Sequence, residues 1–505
     1  MKKIALLSVS DKSNIVKFAK ELKSLNYELL ATGNTAVLLK KNDIECTQIS
    51  DYTGFPEIFS GRVKSLHPKI FGGILLRREN NDDLKEALSN NIMPIDVVAV
   101  NLYPFQEVVN DKEVNLQEKL ENIDIGGPSL IRAAAKNYKS VSVLTSPSQY
   151  DNFLSKLKNN DLSEAVRIEF ASAAFAHTAK YDAMIADFFE NEFDLPRKEL
   201  RINSKLSKSL RYGENPHQKA FLFGDFNKYF EVLHGKELSY NNIIDLISAA
   251  DLVNELPENS CAIVKHTNPC GAATSEDTYS SYVEALSCDP VSAFGGIASF
   301  NTTIDEKTAK KLNEIFLEII CAPDFSEDAL KVLKKKKNRR LVKILKHANK
   351  EEFVVKSITG GFLVQDKDNS FLSDDNLKIV TENTYTEEEL KDLKFAWIIC
   401  KYTKSNAIVF VKNQKAIGVG AGQMSRVEAA RLAAQRAKEY GHNLKGAVAA
   451  SDAFFPFADG VEIIASEGIT SIIQPGGSIR DGEVIEEANR HNISMVFTGI
   501  RNFKH

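Results

Sequence analysis

A lysine and a histidine stand side by side, Lys265-His266, directly after the apolar run Cys261-Ala262-Ile263-Val264. A neutral histidine suits proton transfer near pH 7, and a lysine suits the stabilisation of a developing oxyanion. The apolar run predicts a buried strand, so the pair is expected at its end, where a buried cation needs a partner or a depressed pKa. Pro269 and Gly271 stiffen the turn that follows. The plain alternative is a hydrogen-bonded turn histidine beside a surface lysine. Zinc-dependent base deamination is excluded by spacing. It needs H-x-E followed by P-C-x-x-C, but Pro269-Cys270 leads to Ala273, and none of the nine histidines begins H-x-E.

Other segments carry polar groups at spacings that suit a ligand. In the first part of the chain, Gly61-Arg62-Val63-Lys64-Ser65-Leu66-His67-Pro68-Lys69 is a basic loop before Phe71-Gly72-Gly73. Ser10-Asp11-Lys12-Ser13 and Thr32-Gly33-Asn34-Thr35 each follow a strand-like run and precede a helix-like one, a placement that favours phosphate. Asn101-Leu102-Tyr103-Pro104-Phe105 closes another apolar strand, and Asp124, Lys136 and Asn137 add polar groups at further element ends. Later in the chain come Leu210-Arg211-Tyr212-Gly213-Glu214-Asn215-Pro216-His217-Gln218 and Lys401-Tyr402-Thr403-Lys404-Ser405-Asn406. Gly418–Arg426 has glycines that allow close backbone approach, and Ser451–Asp459 holds three phenylalanines that could be core or could line a slot for a flat ring.

The elements that must position these residues follow from periodicity. The first ~190 residues alternate strand-like and helix-like patterns, the signature of α/β layering. Strands are predicted at 3–9, 27–30, 95–100 and 141–144. Ile15, Phe18, Ala19 and Leu22 mark a helix for which Ser10 and Asp11 offer N-caps. A helix is predicted through Leu130, Ala133 and Ala134, and a long one over 167–189. The charged stretch 194–210, with Pro196, is the expected boundary, giving domains 1–195 and 196–505. The second contains strand-rich centres near 261–300 and 407–475. The run Lys334–Arg340 is expected to be a solvated helix end or loop without function, and no internal sequence repeat is evident.

The 505 residues are 43% hydrophobic and 26% charged, with a net charge of −4, which argues against nucleic acid as a partner. The N-terminal apolar run is too short for a signal peptide, and no run is long enough to span a bilayer, so no membrane partner is expected. Six widely spaced cysteines with no CxxC pair point to reduced thiols and a cytoplasmic location.

Taken in order, these motifs resemble the bifunctional purine biosynthesis family, AICAR formyltransferase / IMP cyclohydrolase. Ser8–Lys12, Gly61–Pro68, Asn101–Phe105 and Ile123–Gly127 are similar to its cyclohydrolase domain. Arg211–Gln218, Lys265–Gly271, Lys401–Asn406 and Ser451–Phe457 are similar to its formyltransferase domain. The resemblance implies an α/β fold: an N-terminal methylglyoxal-synthase-like domain, then two cytidine-deaminase-like α/β units without catalytic zinc. It implies a homodimer, nucleotide and folate substrates, 10-formyltetrahydrofolate as cosubstrate and no catalytic metal.

The resemblance also implies roles. His266 is the base for the AICAR amine and Lys265 the oxyanion stabiliser. Arg211, Tyr212, Gly295, Glu318, Asn406, Phe454 and Arg501 bind AICAR, while Arg426, Val427, Asp459, Ser478 and Ile479 line the folate site. For ring closure, Lys136 transfers the proton while Asp124, Lys64 and Tyr103 orient and polarise. Ser10, Lys12, Thr32, Gly33, Asn34, Thr35, Arg62, Lys64, Ser65, Asn101 and Asp124 hold the nucleotide. Asn34 stands where the family commonly has glycine, and asparagine's tolerance of left-handed backbone should preserve the loop. Two other readings are a nucleotide-binding regulator with a decayed site and a methylglyoxal-synthase-type lyase. The first is disfavoured because the catalytic residues are present in both halves, and the second explains only the first half.

Overall fold

The computed structural model describes residues 3–347 and 353–505. It divides into two compact units, Met1–Asn203 and Ser204–His505.

The first unit is built on a five-stranded parallel sheet. Its order is Thr47–Gln48, Tyr27–Ala31, Lys3–Val9, Val97–Asn101, Ser142–Leu144. The central strands are apolar on both faces because helices cover both, so Ala5, Leu6, Leu7, Val98 and Ala99 are buried. The 15–24 helix buries the four residues that its periodicity marks, Ile15, Phe18, Ala19 and Leu22. Its N-cap, however, is Asn14 in left-handed backbone, so Ser10 and Asp11 do not cap it and remain in the loop after the first strand. Parallel strands share one C-terminal edge, and the loops singled out in this unit leave from there or approach it, except for Lys136 and Asn137, which precede the Ser142–Leu144 strand.

The second unit has a twelve-stranded sheet made of two halves with the same order. In one half the strands run Asn268–Thr274, Ser260–Lys265, Ile297–Phe300, Ile319–Ala322, Arg340–Ile344, Phe230–His234. In the other they run Lys415–Gly420, Ile408–Lys412, Val448–Ser451, Ser471–Gln474, Ser494–Phe497, Lys378–Ile379. Each half begins with an antiparallel hairpin, continues through three mutually parallel strands and ends on an antiparallel edge strand. The repeat, not evident in sequence, is plain in topology. Topology constrains burial and strand polarity, which many different side chains satisfy equally well.

The halves join through Asn268–Thr274 and Lys415–Gly420, which pair antiparallel. The tip of the first hairpin, Lys265–Asn268, therefore lies on the sheet edge where the parallel strands of the second half end. The glycines of the 415–420 strand admit a helix rather than a ligand. A Cβ on Gly420 would lie 1.9 Å from the Ala429 carbonyl oxygen of the packed Arg426–Glu439 helix. In the 334–340 run, Lys334 to Asn338 are exposed after the Glu327–Leu333 helix, as expected, but the last two residues depart from that expectation. Arg339 and Arg340 are buried, and Arg339 donates to the Leu312 and Ile315 carbonyls while Arg340 opens a strand. No helix among the described residues is long and apolar enough to cross a membrane.

Candidate active sites

In the first unit the C-terminal sheet edge opens into a cavity of about 520 Å³. Ser10, Lys12, Thr32, Asn34, Thr35, Arg62, Lys64, Ser65, Asn101, Tyr103 and Asp124 all line it. Gly33 lies between two of these residues. Lys136 does not line the cavity. It ends the Gly126–Lys136 helix, whose other end forms the wall, and ten residues of helix separate the two by about 15 Å.

The cavity wall is held by side chains that use up their own hydrogen-bonding groups. Asn101 accepts from the Ser10 and Asp11 amides (2.6 and 2.9 Å) and donates to the Asp11 carbonyl (3.1 Å). Thr32 donates to Ser8 Oγ at 2.7 Å rather than capping its helix, which leaves the start of the Gly33–Lys41 helix facing the cavity. The left-handed residue there is Gly33 (φ 30°). Asn34 sits within the first helical turn, so the tolerance expected of it is not called upon. His67 is structural: its Nδ1 accepts from the Lys69 amide and caps the Pro68–Leu75 helix.

Three titratable groups converge in the cavity. Lys12 Nζ donates to Thr35 Oγ1 (3.0 Å) and to the Val9 carbonyl, and burial, followed by the charge of Lys64, lowers its pKa. Burial raises the Asp124 carboxyl above the ordinary carboxylate value, while the Gly127 amide (2.8 Å) and Lys64 pull it back. A Cβ on Gly127 would lie 2.4 Å from Asp124 Oδ2, so glycine is needed for the carboxylate to sit where it does. Tyr181, on the long Glu164–Glu192 helix, accepts the Asp124 amide at 2.7 Å, and burial and its neighbours carry its hydroxyl up to about 12. The predicted helix over 167–189 contains Tyr181, but spacing along that helix cannot give it this partner.

In the second unit, Lys265 is half-buried and His266 exposed, so the pair is not the buried cation pair expected. Lys265 Nζ donates to the Phe294 carbonyl at 2.7 Å. His266 (φ 51°) and Thr267 (φ 63°) form a two-residue hairpin turn with both residues left-handed. That conformation costs roughly 1–2 kcal/mol for an L-residue, and a β-branched threonine tolerates it poorly. Bonds from outside the turn hold it. Asp245 accepts the Thr267 amide at 2.7 Å, and Ser248 donates to the Thr267 carbonyl at 3.1 Å. Sequence reading missed both residues because they lie on the Tyr240–Glu255 helix, far from the motif.

Lys265 and His266 line a cavity of about 240 Å³ with Asn268, Cys270, Asp289 and Arg436. None of the other residues expected to bind nucleotide or folate lines it. Strand polarity still places most of them on the same sheet edge. Gly295 and Glu318 precede strands that start there; Asn406 likewise precedes the 408–412 strand. Phe454, Arg501, Arg426, Val427, Asp459, Ser478 and Ile479 follow strands that end there. Eight strand spacings separate the strand after Glu318 from the one before Arg501, about 38 Å at ~4.8 Å each. Arg211 and Tyr212 lie off the sheet, after the two-stranded ribbon's Leu206–Leu210 strand.

Local contacts differ along the edge. Arg426 is buried in an ion pair with Asp452 (2.7 Å) and donates to the Phe454 carbonyl (3.1 Å), with its Nε left without a partner. Glu318 is paired with Arg340 at 2.5 Å. Asn406 donates to the Gln423 carbonyl through both its amide and its Nδ2. Of the three phenylalanines, Phe455 is core, Phe457 is exposed beneath the Arg480 guanidinium, and Phe454 is intermediate. Asp459 Oδ1 takes the Gly460 amide, Ser478 Oγ takes the Arg480 amide, and Ile479 is fully exposed. Arg501 stacks on Phe503. Among the described residues no cluster of His, Cys, Asp or Glu is arranged to hold a metal.

A family model described as "AICARFT/IMPCHase bienzyme" matches residues 134–436, and one described as "MGS-like domain" matches residues 14–129. The chain belongs to the AICARFT/IMPCHase bienzyme family. Curated relatives span the chain from end to end. The bifunctional purine biosynthesis protein PurH of Thermoanaerobacter sp. is 48% identical over 513 residues, covering 100% of both chains. The protein of that name from Persephonella marina is 49% identical over 514 residues, 99% of each. That of Aquifex aeolicus is 47% identical over 511 residues, 99% of this chain and 100% of its own. AICARFT/IMPCHase proteins are bifunctional enzymes of purine biosynthesis, joining a formyltransferase and a cyclohydrolase. The bienzyme model begins inside the first compact unit and crosses into the second, so sequence-model limits and structural units differ.

Proposed function

We propose that the two activities are divided between the two units, with ring closure in the cavity of the first and formyl transfer at the sheet edge of the second. The observation that carries the division is the separate clustering of suitable chemistry in each. In the first reaction, the AICAR amine is a weak nucleophile because its lone pair is delocalised into the imidazole. His266 takes its proton as the nitrogen attacks the formyl carbon of 10-formyltetrahydrofolate. Lys265 stabilises the oxyanion, and the bond from the formyl carbon to the folate nitrogen then breaks, with a proton passing to that nitrogen. The Phe294 carbonyl takes one of the three Lys265 ammonium protons, leaving two donors for the substrate.

In the second reaction the carboxamide nitrogen attacks the new formyl carbon, and water leaves. Lys12, Arg62 and the Thr32–Thr35 segment at the start of the Gly33–Lys41 helix suit the phosphate, with Ser10 and Ser65 around the ribose end. Tyr103 polarises the formyl oxygen. Lys64 and Asp124 can move the proton from within the wall, while Lys136 takes part only if a second chain brings it there.

The protein works as a homodimer in this reading. A nucleotide cannot touch groups spread over about 38 Å of one edge, so facing edges of two chains must share them. An exposed ribbon, Phe353–Ile358 with Gly361–Asp366, supports an interface, since Val354, Val355, Ile358, Phe362, Leu363 and Val364 all face outward. Incubation with AICAR and 10-formyltetrahydrofolate should yield tetrahydrofolate and IMP. Absence of the folate product excludes the transferase. Failure to form IMP from the formylated intermediate excludes the cyclohydrolase.

A further inference from the structure

The repeat within the second unit supplies an internal control for the reactive turn. In the first half, Lys265 is followed by His266-Thr267; in the second, Lys412 is followed by Asn413-Gln414. All four turn residues are left-handed, with φ of 51°, 63°, 52° and 50°. Both lysines donate to a carbonyl in the segment before the strand that follows the hairpin, Lys265 to Phe294 (2.7 Å) and Lys412 to Lys445 (2.6 Å). Both turns are braced by an aspartate from the helix that precedes the hairpin. Asp392 accepts the Asn413 and Gln414 amides (2.7 and 2.5 Å), and Asp245 accepts the Thr267 amide (2.7 Å).

The differences between the hairpins lie where the histidine is. Asparagine fits left-handed backbone readily, so the second turn opens on a residue suited to it. The first turn carries Thr267, whose β-branch fits left-handed backbone poorly, and it gains an additional bond. Ser248, three residues after Asp245, donates to the Thr267 carbonyl, whereas the residue three after Asp392 is Phe395, buried in the core. Neither Asp245 nor Ser248 lines the cavity that His266 enters, so they act through the backbone.

We infer that Asp245, assisted by Ser248, is a positioning residue for formyl transfer, fixing the backbone that aims the His266 ring. This rests on His266 being the base. The same carboxylate at Asp392 serves a hairpin without that base, so its loss should cost stability but not chemistry.

The test is steady-state formyl transfer and thermal unfolding on the full-length enzyme, for Asp245→Ala, Asp245→Asn, Ser248→Ala, Asp392→Ala and His266→Ala. Asp245→Ala should lower kcat by about 10- to 100-fold, the scale of an ångström-size misplacement of a reacting group. Asp245→Asn should recover most of that, because its amide oxygen still accepts the Thr267 N–H, and Ser248→Ala should fall clearly below wild type, between it and Asp245→Ala. Asp392→Ala should melt earlier yet keep kcat within about twofold. If Asp245→Ala does not fold, Asp245→Asn and Ser248→Ala are compared alone. A kcat near wild type for Asp245→Ala, or for Ser248→Ala where that comparison is used, overturns the inference. So does an equal kcat loss in Asp392→Ala. Retention of formyl transfer by His266→Ala overturns instead the reading beneath it.

Discussion

The first unit gathers eleven of its expected ligand residues into one cavity, whereas the second spreads its own along a sheet edge. The difference comes from how each sheet ends. Five parallel strands all end on one edge, and residues of the 61–66 loop and the 122–127 turn line the same cavity. Twelve strands deliver too wide an edge for a small molecule to bridge. A cavity can work within one chain; an edge needs a second surface.

The comparison can be broken most severely by dilution. Below the concentration at which subunits dissociate, formyl transfer should disappear while ring closure persists, read by parallel assays across a dilution series with sedimentation as the reference. Transferase activity in a demonstrated monomer removes the shared edge. Next in size is Asp124→Ala, which should lower ring closure by about 10²–10³-fold with formyl transfer unchanged. Arg426→Ala strands the fully buried Asp452 carboxylate and should destabilise the second unit by about 3–5 kcal/mol, leaving the melting of the first unit in place. A single shifted transition for both units contradicts the separation.

The smallest effect is in pH dependence. The raised Asp124 pKa means that its proton leaves at a higher pH than from an ordinary carboxyl, so the acid limb of ring closure should lie above the usual carboxylate range. Lys64 favours the ionised form, so Lys64→Met should move that limb, in the residual activity, to higher pH still. A limb that moves down assigns it to another group.

Much of this contrast was legible in the residues. The helix through Ile15, Phe18, Ala19 and Leu22 and the strands 3–9 and 27–30 follow from apolar spacing, and loops at parallel strand ends place Lys12, Asn101 and Asp124 together. Tyr181, Asp245 and Ser248 were not legible, because a bond across 57 or ~20 residues leaves no mark on local periodicity. Lys265 is only half-buried because it is the last residue of its strand, and the turn that begins at His266 lifts that ring into the open. Arg339 looked solvated within a lysine run, yet carbonyls at Leu312 and Ile315 accept it in the core.

The division of labour between cavity and edge is tested most directly by measuring both reactions on His266→Ala and on Lys64→Ala. His266→Ala should lose formyl transfer by about 10²–10⁴-fold and close the ring of supplied intermediate at the wild-type rate, and Lys64→Ala should do the reverse. Loss of both activities in either variant, with both units folded, would contradict two separate sites.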